Sequence, residues 1–553
     1  MCGIFGCISK ECNAYREVIG GLKNLQYRGY DSSGIMYYDN GYKIEKTVGT
    51  IEKIDNPDIV SNLAFGHTRW ATNGEVNTTN AHPHKSFDGR YIIVHNGIIE
   101  NAKELEKELL KHNIVQKSKT DTEIFVNYLT LCDDIKQGLI EVYDKIKGSY
   151  AIILQDTKTN TVYVAKKFNS INVLKTANSI YISSDLTSLK EGELFELKDR
   201  DVVEIKGNTI KNINGKLEFH HHKPVISDYN LGEYQHYMIK EIMETPDSIR
   251  KTYESIKEID FKSLFSKYKK LTFLGCGTAF HSGLIGKSLL KECGFECDSC
   301  LASDYELKHK IKANHLHILI SQSGETADCI KIAQDILKNK GKILLVTNQP
   351  QSTLARMSNY VLSTNANKEI AVASTKTYCC QVFVFAYICE KLKNDSFDFK
   401  IDKFVYDLKG YIACLDVNKY VDEIGNRDKL ILLAFGKDFD TILEASLKIR
   451  EIDYIFTLPM TAGELKHGTL SLVDENALVI YLDTTNSRFL HNAINEIQSR
   501  KGKTVQIETK ITNDSFQAIY SIIPFQLVSY FVARKRNINP DMPRNLAKSV
   551  TVH

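Results

Sequence analysis

A cysteine follows the initiator directly in Met1-Cys2-Gly3-Ile4-Phe5-Gly6. Removal of Met1 would make Cys2 the N-terminus, carrying both a thiol and an α-amine. That amine has an ordinary pKa of about 7.7–8.0, so part of it is unprotonated near neutrality. It can take the thiol proton directly or through a water, and the thiolate suits attack on a carboxamide carbon. The simpler reading is a buried cysteine on a first strand, since Ile4, Phe5, Cys7 and Ile8 are all apolar.

Three polar loops in the first half could serve such a nucleophile. In His67-Thr68-Arg69-Trp70-Ala71-Thr72-Asn73-Gly74 an arginine sits beside small hydroxyl residues, a set suited to forked recognition of an α-carboxylate. An exposed surface loop is the alternative, although the only tryptophan of the chain would be an odd tenant there. His95-Asn96-Gly97 follows the apolar run 91–94; its amide and glycine N–H can form an oxyanion hole, or the pair can be an ordinary turn. Asp121 can hold an ammonium group or cap the helix behind it, and capping is the better reading of Thr120-Asp121 taken alone.

The second half offers a different chemistry. Ser321-Gln322-Ser323-Gly324-Glu325-Thr326 follows a short apolar strand and precedes a helix, so its hydroxyls and N–H groups make an anion cradle or a capping turn. No lysine-bearing P-loop is present, and Glu325 fits a phosphomonoester better than a nucleoside triphosphate. Lys448 and Glu451 lie three apart in a helical pattern, 441–454, and so share a face. That spacing usually marks a surface ion pair, and it also suits a base moving a proton between adjacent sugar carbons. Lys548, near the end of the chain, reads as a solvated tail residue unless the tail folds over a site.

The elements needed to hold these groups follow from patterning. Residues 35–38 and 42–44 flank Asp39-Asn40-Gly41, a hairpin signal. Helices are expected at 100–112 and 122–131, and strands at 150–154, 162–165, 180–183 and 202–205, which two sheet layers covered by helices would satisfy. From His236 onward strands and helices alternate, with strands at 271–274, 317–320 and 342–347 and again at 430–433, 477–482 and 504–507. This order suggests two copies of one parallel α/β unit divided near 400–420.

At 553 residues the chain has room for several cores, and a net charge of +3 gives no case for a nucleic-acid partner. No run reaches the roughly 18 apolar residues of a membrane span, and no signal peptide is visible. Thirteen cysteines without an even framework read as reduced thiols, so a soluble, cytoplasmic protein is expected. Cys293, Cys297 and Cys300 lack a fourth zinc ligand at the usual spacing and read as packed or free thiols. His220-His221-His222 reads as a solvated run at a domain boundary.

With Cys2, the motifs CGIFG, YRGYDSSG, HTRWAT, AHPH, HNGIIEN and TDTE resemble the glutaminase domain of N-terminal-nucleophile (class II) amidotransferases. SQSGETAD resembles the phosphosugar signature of sugar isomerase (SIS) domains, and GCGT, ASTK, GELKHG and PRNLAKSVTV extend the match. Nearly the whole chain resembles the glutamine–fructose-6-phosphate aminotransferase (isomerizing) family. The resemblance implies an α+β N-terminal-nucleophile sandwich (αββα) followed by two α/β parallel-sheet sugar isomerase domains. Implied boundaries are 2–220 for the glutaminase, 221–240 for a linker, 241–410 and 411–540 for the isomerase domains, and 541–553 for a tail completing the sugar site. It further implies Cys2 as nucleophile, Asn96 and Gly97 as oxyanion hole, and Arg69, Trp70, Thr72, His82 and Asp121 around glutamine, with Trp70 as a gate. Thr278, Ser321, Gln322, Ser323, Thr326 and Ser374 are implied around the sugar phosphate. Lys548 is implied as imine-forming lysine, Glu451 as proton-shuttling base assisted by Lys448, and His467 as a ring-opening residue from a neighbouring subunit of a homodimer.

Departures from the family pattern are Asn73 for a usual histidine, Ala279 for serine, Thr469 for proline, His553 for a terminal glutamate, and a shortened 168–176 segment. The implied substrates are glutamine and fructose 6-phosphate. No metal, nucleotide or redox cofactor is required, because a thiolate, a lysine imine and a carboxylate cover every step. The rivals are another Cys2-type amidotransferase and a non-catalytic phosphosugar sensor. Asparagine synthesis would need an S-G-G-x-D-S loop, which is absent, and a sensor has no use for Cys2, Arg69, Glu451 and Lys548 together.

Overall fold

The computed structural model describes residues 2–223, 231–306, 311–512 and 514–548, apart from the Thr187 side chain. It divides into two units, one holding the described residues up to 223 and the other those from 231 to 548.

In the first unit, β1 (Gly3–Ser9) lies inside an antiparallel sheet, eight-stranded among the described residues. The hairpin of β2 (Ser32–Tyr38) and β3 (Tyr42–Val48) belongs to the same sheet. Its turn places Asn40 at φ 50° and Gly41 at φ 142°, the backbone region a tight hairpin requires. β4 (Leu63–Arg69) joins β1 to β2. A second antiparallel sheet contains β5 (Tyr91–Ile99) and β6 (Gly148–Asp156), paired along their full length. Ile4, Met36 and Phe65 from one sheet pack with Ile92, Val94 and Ile153 from the other in a single apolar cluster. Each such buried aliphatic side chain contributes about 1.5–3 kcal/mol.

The outer faces are covered by helices. Val18, Leu22 and Leu25 of α1 (Ala14–Leu25) pack on the first sheet. Leu105 of α2 (Ala102–Lys111), Phe125 of α3 (Asp121–Leu129) and Leu139 of α4 (Ile135–Lys145) pack in the cluster over the second. The layers therefore run helix, sheet, sheet, helices.

Two expectations change. Asn96-Gly97 is not a turn after a strand: β5 continues through it, pairing Asn96 with Ala151 and Gly97 with Tyr150. Asp121 is the first residue of α3 and not its cap, Thr120 holding the cap position. His220 and His221 are exposed, as expected of a solvated run, and the run also pairs as a short edge strand with Gly192–Leu194. Of the expected linker, 224–230 lie outside the described residues, and a helix starts at Tyr237.

The second unit holds two parallel sheets. β7 (Lys270–Gly275), β8 (His315–Ile320) and β9 (Lys342–Thr347) are neighbours in the first, five-stranded among the described residues. β10 (Lys429–Ala434) lies within the second, four-stranded one. β7, β8 and β10 lead respectively into α5 (Thr278–Glu292), α6 (Ala327–Lys338) and α8 (Asp438–Asp453), and α7 (Lys376–Lys393) lies in the chain between α6 and β10. α7 is buried on every side over residues 376–389, as expected of a helix apolar all round. Its Phe383 and Phe385 share one core with Phe273 and Ile318 of the first sheet and with Leu432 and Ile449 of the second copy. The interval 400–420 is largely helical, with helices at Ile401–Ala413 and Asn418–Ile424. No described helix is long and apolar enough to cross a membrane.

Candidate functional site

Cys2 stands half-buried just ahead of β1, at the end of β4. The Trp70 N–H donates to Cys2 Sγ at 3.3 Å, and the thiol donates to the Trp70 carbonyl at 3.5 Å. Burial pushes the Cys2 thiol up, partly opposed by the Trp70 N–H and by the charges of Arg69 and Arg28.

The Asn96 amide reaches Cys2 from β5: its Nδ2 donates to the Cys2 carbonyl at 2.9 Å. The amide is oriented by His67, whose Nε2 lies 3.1 Å from Asn96 Oδ1 and 3.0 Å from the His95 carbonyl. Burial brings the His67 pKa down to about 3. The ring is therefore neutral, and its one N–H belongs on Nε2, between two acceptors. Asn169, in the 168–176 segment, donates to the Asn96 carbonyl at 2.9 Å. Gly97 has φ 142°, and a Cβ there would fall 2.1 Å from the Ser149 carbonyl oxygen, so only glycine fits.

A small cleft opens beside Cys2, lined by Arg69, Trp70, Thr72, Asn73, His82, His95, Gly97 and Asp121 among others. Arg69 is buried, and its guanidinium donates to three carbonyls of its own loop: Asn73, Gly74 at 3.2 Å and Glu75 at 3.4 Å. These contacts use part of its five-donor fork and fix its plane. Because Asn73 takes part through its backbone carbonyl, this support does not depend on its side chain. Asp121 neither caps α3 nor lies free: its Oδ2 accepts the Ile99 N–H at 2.8 Å. His82 Nε2 and His95 Nδ1 both meet the Thr122 hydroxyl, at 2.8 and 2.9 Å. Trp70 is half-buried and joins none of the apolar core clusters of the described residues.

In the second unit the candidate residues gather at the C-terminal ends of neighbouring parallel strands, where ligands of open α/β sheets bind. Thr278 follows β7 and the 321–326 loop follows β8. In that loop the Ser321 and Thr326 hydroxyls lie 2.9 Å apart, and Ser321 Oγ accepts the Gly324 N–H at 3.0 Å. Thr326 occupies the cap position of α6 without a side-chain capping bond, so the capping reading does not account for its hydroxyl.

Lys448 and Glu451 are hydrogen-bonded, and the surface-pair reading fails: Lys448 is fully buried. Sequence reasoning missed a third member, Glu444, one turn earlier on α8 and also fully buried. Glu444 lies 3.1 Å from Lys448 Nζ, accepts the Thr278 hydroxyl at 3.0 Å and meets His281 Nδ1 at 2.7 Å. Burial works against its charge, but Lys448 and His281 outweigh it and hold the pKa below the ordinary value. For Glu451 burial prevails over Lys448, and the pKa is raised.

Lys548 is not solvated. Its side chain is 3% exposed, and its Nζ lies 2.5 Å from Glu369 Oε2 and 3.2 Å from Ser374 Oγ. Glu369 was also missed; no local pattern could pair it with a residue 179 positions away. It accepts the Thr375 and Thr377 N–H groups at the start of α7, at 2.9 and 3.1 Å. Burial alone would raise its pKa, but Lys548 and these donors bring it down to about 2. Beside it, burial and the Glu369 charge push Glu241 up to about 8. Glu241 Oε1 accepts the Ile370 and Ala371 N–H groups, and Oε2 has no hydrogen-bond partner among the described residues. His467 is exposed on the turn Leu465–His467. Among the described residues, no group of three or more His, Cys, Asp or Glu is arranged to hold a metal ion.

Comparison with known proteins agrees with both halves. Residues 67–191 match the model of a glutamine amidotransferase domain, and residues 264–390 and 423–530 each match that of the SIS domain. Glutamine–fructose-6-phosphate aminotransferase (isomerizing) of Bacillus licheniformis is 34% identical over the full length of both chains, and that of Sulfolobus acidocaldarius 31%. The C-terminal domain of glucosamine-fructose-6-phosphate aminotransferase from Francisella tularensis matches with TM-score 0.50 and 29% identity, covering 56% of this chain and 99% of that domain. End-to-end similarity at this level, joined to the geometry on both sides, means that the chain belongs to the glutamine–fructose-6-phosphate aminotransferase (isomerizing) family.

Proposed function

We propose that the chain hydrolyses glutamine at Cys2 and passes the ammonia to fructose 6-phosphate, isomerising ketose to aldose to give glucosamine 6-phosphate and glutamate. The observation that carries this reading is the presence in one chain of a Cys2–Asn96–Gly97 constellation and a buried Lys548 beside the Lys448–Glu451 pair. Neither group alone calls for the other; amino transfer from an amide to a ketose uses both.

In the glutaminase half, which we read as an N-terminal-nucleophile fold, loss of Met1 frees the Cys2 amine to act as base. The thiolate attacks the amide carbon. The developing oxyanion is met by the Gly97 N–H and by the second hydrogen of Asn96 Nδ2, the first being held on the Cys2 carbonyl. Arg69 and Asp121 take the α-carboxylate and α-ammonium groups, with Trp70, Thr72 and His82 lining the remainder of the cleft. In the isomerase half, the hydroxyls of Ser321, Ser323, Thr326, Ser374 and Thr278, with Gln322, hold the phosphate. Lys548 forms the imine. Glu451, its pKa raised by burial, carries the proton between C1 and C2, with the Lys448 ammonium holding the carboxylate in place. A cytoplasmic homodimer is the form this reading takes, each subunit lending His467 to its neighbour, with domains at 2–220, 241–410 and 411–540, a 221–240 linker and a 541–553 tail.

Borohydride reduction in the presence of fructose 6-phosphate tests the imine. The reduced sugar mass is expected on Lys548; an adduct on another lysine, or none in an active sample, would count against the assignment.

A further inference from the structure

At the end of α5 remote from Thr278, two thiols meet where α5 ends against α7. Cys293, the residue that closes α5, has its Sγ 3.5 Å from that of Cys389, 96 residues later in the sequence. Cys293 is partly exposed and Cys389 is fully buried. The Cys389 sulfur also accepts from the Ser515 hydroxyl at 3.6 Å, and Lys393, one turn further along α7, lies beside it. The Cys293 S–H, the Ser515 hydroxyl and the Lys393 ammonium favour the thiolate of Cys389 and lower its pKa to about 6. The neighbouring Cys297 and Cys300 belong to the strand Glu296–Leu301, and no metal-holding group forms around the pair among the described residues.

We propose that Cys293 and Cys389 are a modification site, joined by a hydroperoxide into a reversible intramolecular disulfide. A disulfide needs about 2.05 Å between sulfurs, so the pair must close by about 1.5 Å. Cys293 is placed to move, because it sits past the last turn of α5 with Gly294 at φ 89° behind it. The more exposed sulfur, Cys293, reacts first: its proton passes to the Cys389 thiolate 3.5 Å away as it attacks one peroxide oxygen, the O–O bond breaks, and a sulfenic acid and a hydroxide form, the hydroxide taking a proton from solvent to become one water. The Cys389 sulfur, now carrying that proton, then displaces the hydroxyl of the sulfenic acid, the S–S bond forms, and the hydroxyl leaves with the Cys389 proton as a second water. Two thiols and one peroxide thus give one disulfide and two waters.

The bond would clip together two helices that begin at residues assigned above to the sugar site. Thr278 opens α5, and Ser374 lies two residues before α7. At 1.5 Å per residue the clip lies about 22 Å from Thr278, so it restrains the unfolded chain and the far ends of the helices without entering the site.

The test uses the full chain, treated with hydrogen peroxide, alkylated with iodoacetamide and digested without reduction. Mass spectrometry should find a peptide pair joining Cys293 to Cys389, about 2 Da lighter than the two thiol peptides together, and dithiothreitol should release it. The oxidised chain should melt several degrees higher than the reduced one, and Cys293→Ser should remove that difference. Both cysteines alkylated after peroxide, or either paired with a different cysteine, would overturn the proposal. A Cys293–Cys389 bond formed without a rise in melting temperature would overturn its role as a clip.

Discussion

A thiol that burial keeps neutral cannot act until something takes its proton. Among the described residues, the two hydrogen-bond partners of Cys2 Sγ are the Trp70 N–H, which favours a thiolate once formed, and the Trp70 carbonyl, which is too weak a base to take the proton. This is the physical reason for assigning the base to the residue's own amine. Active protein should therefore lack Met1 by intact mass, and Cys2→Ala should lower glutamine hydrolysis by about 10⁴-fold or more while fructose 6-phosphate binding is unchanged. Retention of Met1 in active protein would contradict the assignment.

The buried acids around Lys548 make a second prediction at this scale. Glu241 stays protonated in the folded chain up to about pH 8, whereas the unfolded chain releases that proton near 4.5. Between those values the folded state binds more protons, so this residue makes stability fall as pH rises. Glu369 acts in the opposite sense in a different window, its contribution being lost as pH falls from 4.5 towards 2. Glu241→Gln should flatten the decline in melting temperature between pH 4.5 and about 8; an unchanged slope would show that Glu241 is ionised in the fold. None of this was legible in the sequence. A three-residue spacing is the same for a surface pair and a buried one, and only the 0% exposure of Lys448 separates them.

At the scale of elements, the sequence was most readable where local chemistry decides. Asp39-Asn40-Gly41, the strand 342–347 and the alternation after His236 were all visible, because turn residues and apolar periodicity act within a few positions. Asn96-Gly97 misled for the same reason: the dipeptide is a turn signal, yet pairing with β6 holds it inside a strand. The edge strand His220–His222 depends on a partner nearly 30 residues earlier, which no window contains.

The 321–326 loop shows how an element can fix a site through backbone alone. Gly324 has φ 63°, and a Cβ there would lie 1.9 Å from Ser352 Oγ and 2.4 Å from Ser352 Cβ. Alanine must therefore shift the loop and adopt a strained φ at the same position. Gly324→Ala should raise the KM for fructose 6-phosphate by about tenfold or more, tenfold being about 1.4 kcal/mol, and leave glutaminase KM unchanged. Steady-state kinetics with each substrate varied in turn checks this; equal KM values for variant and wild type would show that the loop does not bind the sugar.

For the whole molecule, the two halves rest on different physics. The first unit secures Cys2 through antiparallel strands distant in sequence, with Asn96 and Cys2 bonded across 94 residues. The second collects its cluster from α5, α7, α8 and the chain's end around one continuous core. The central claim is that nitrogen released by the first is built into a sugar by the second. Incubation with amide-¹⁵N glutamine and fructose 6-phosphate, followed by mass spectrometry of the sugar phosphates, measures this transfer directly. The account predicts glucosamine 6-phosphate carrying the label, formed in step with glutamate. Glutamate released with the label left in free ammonia, and no labelled amino sugar, would contradict it.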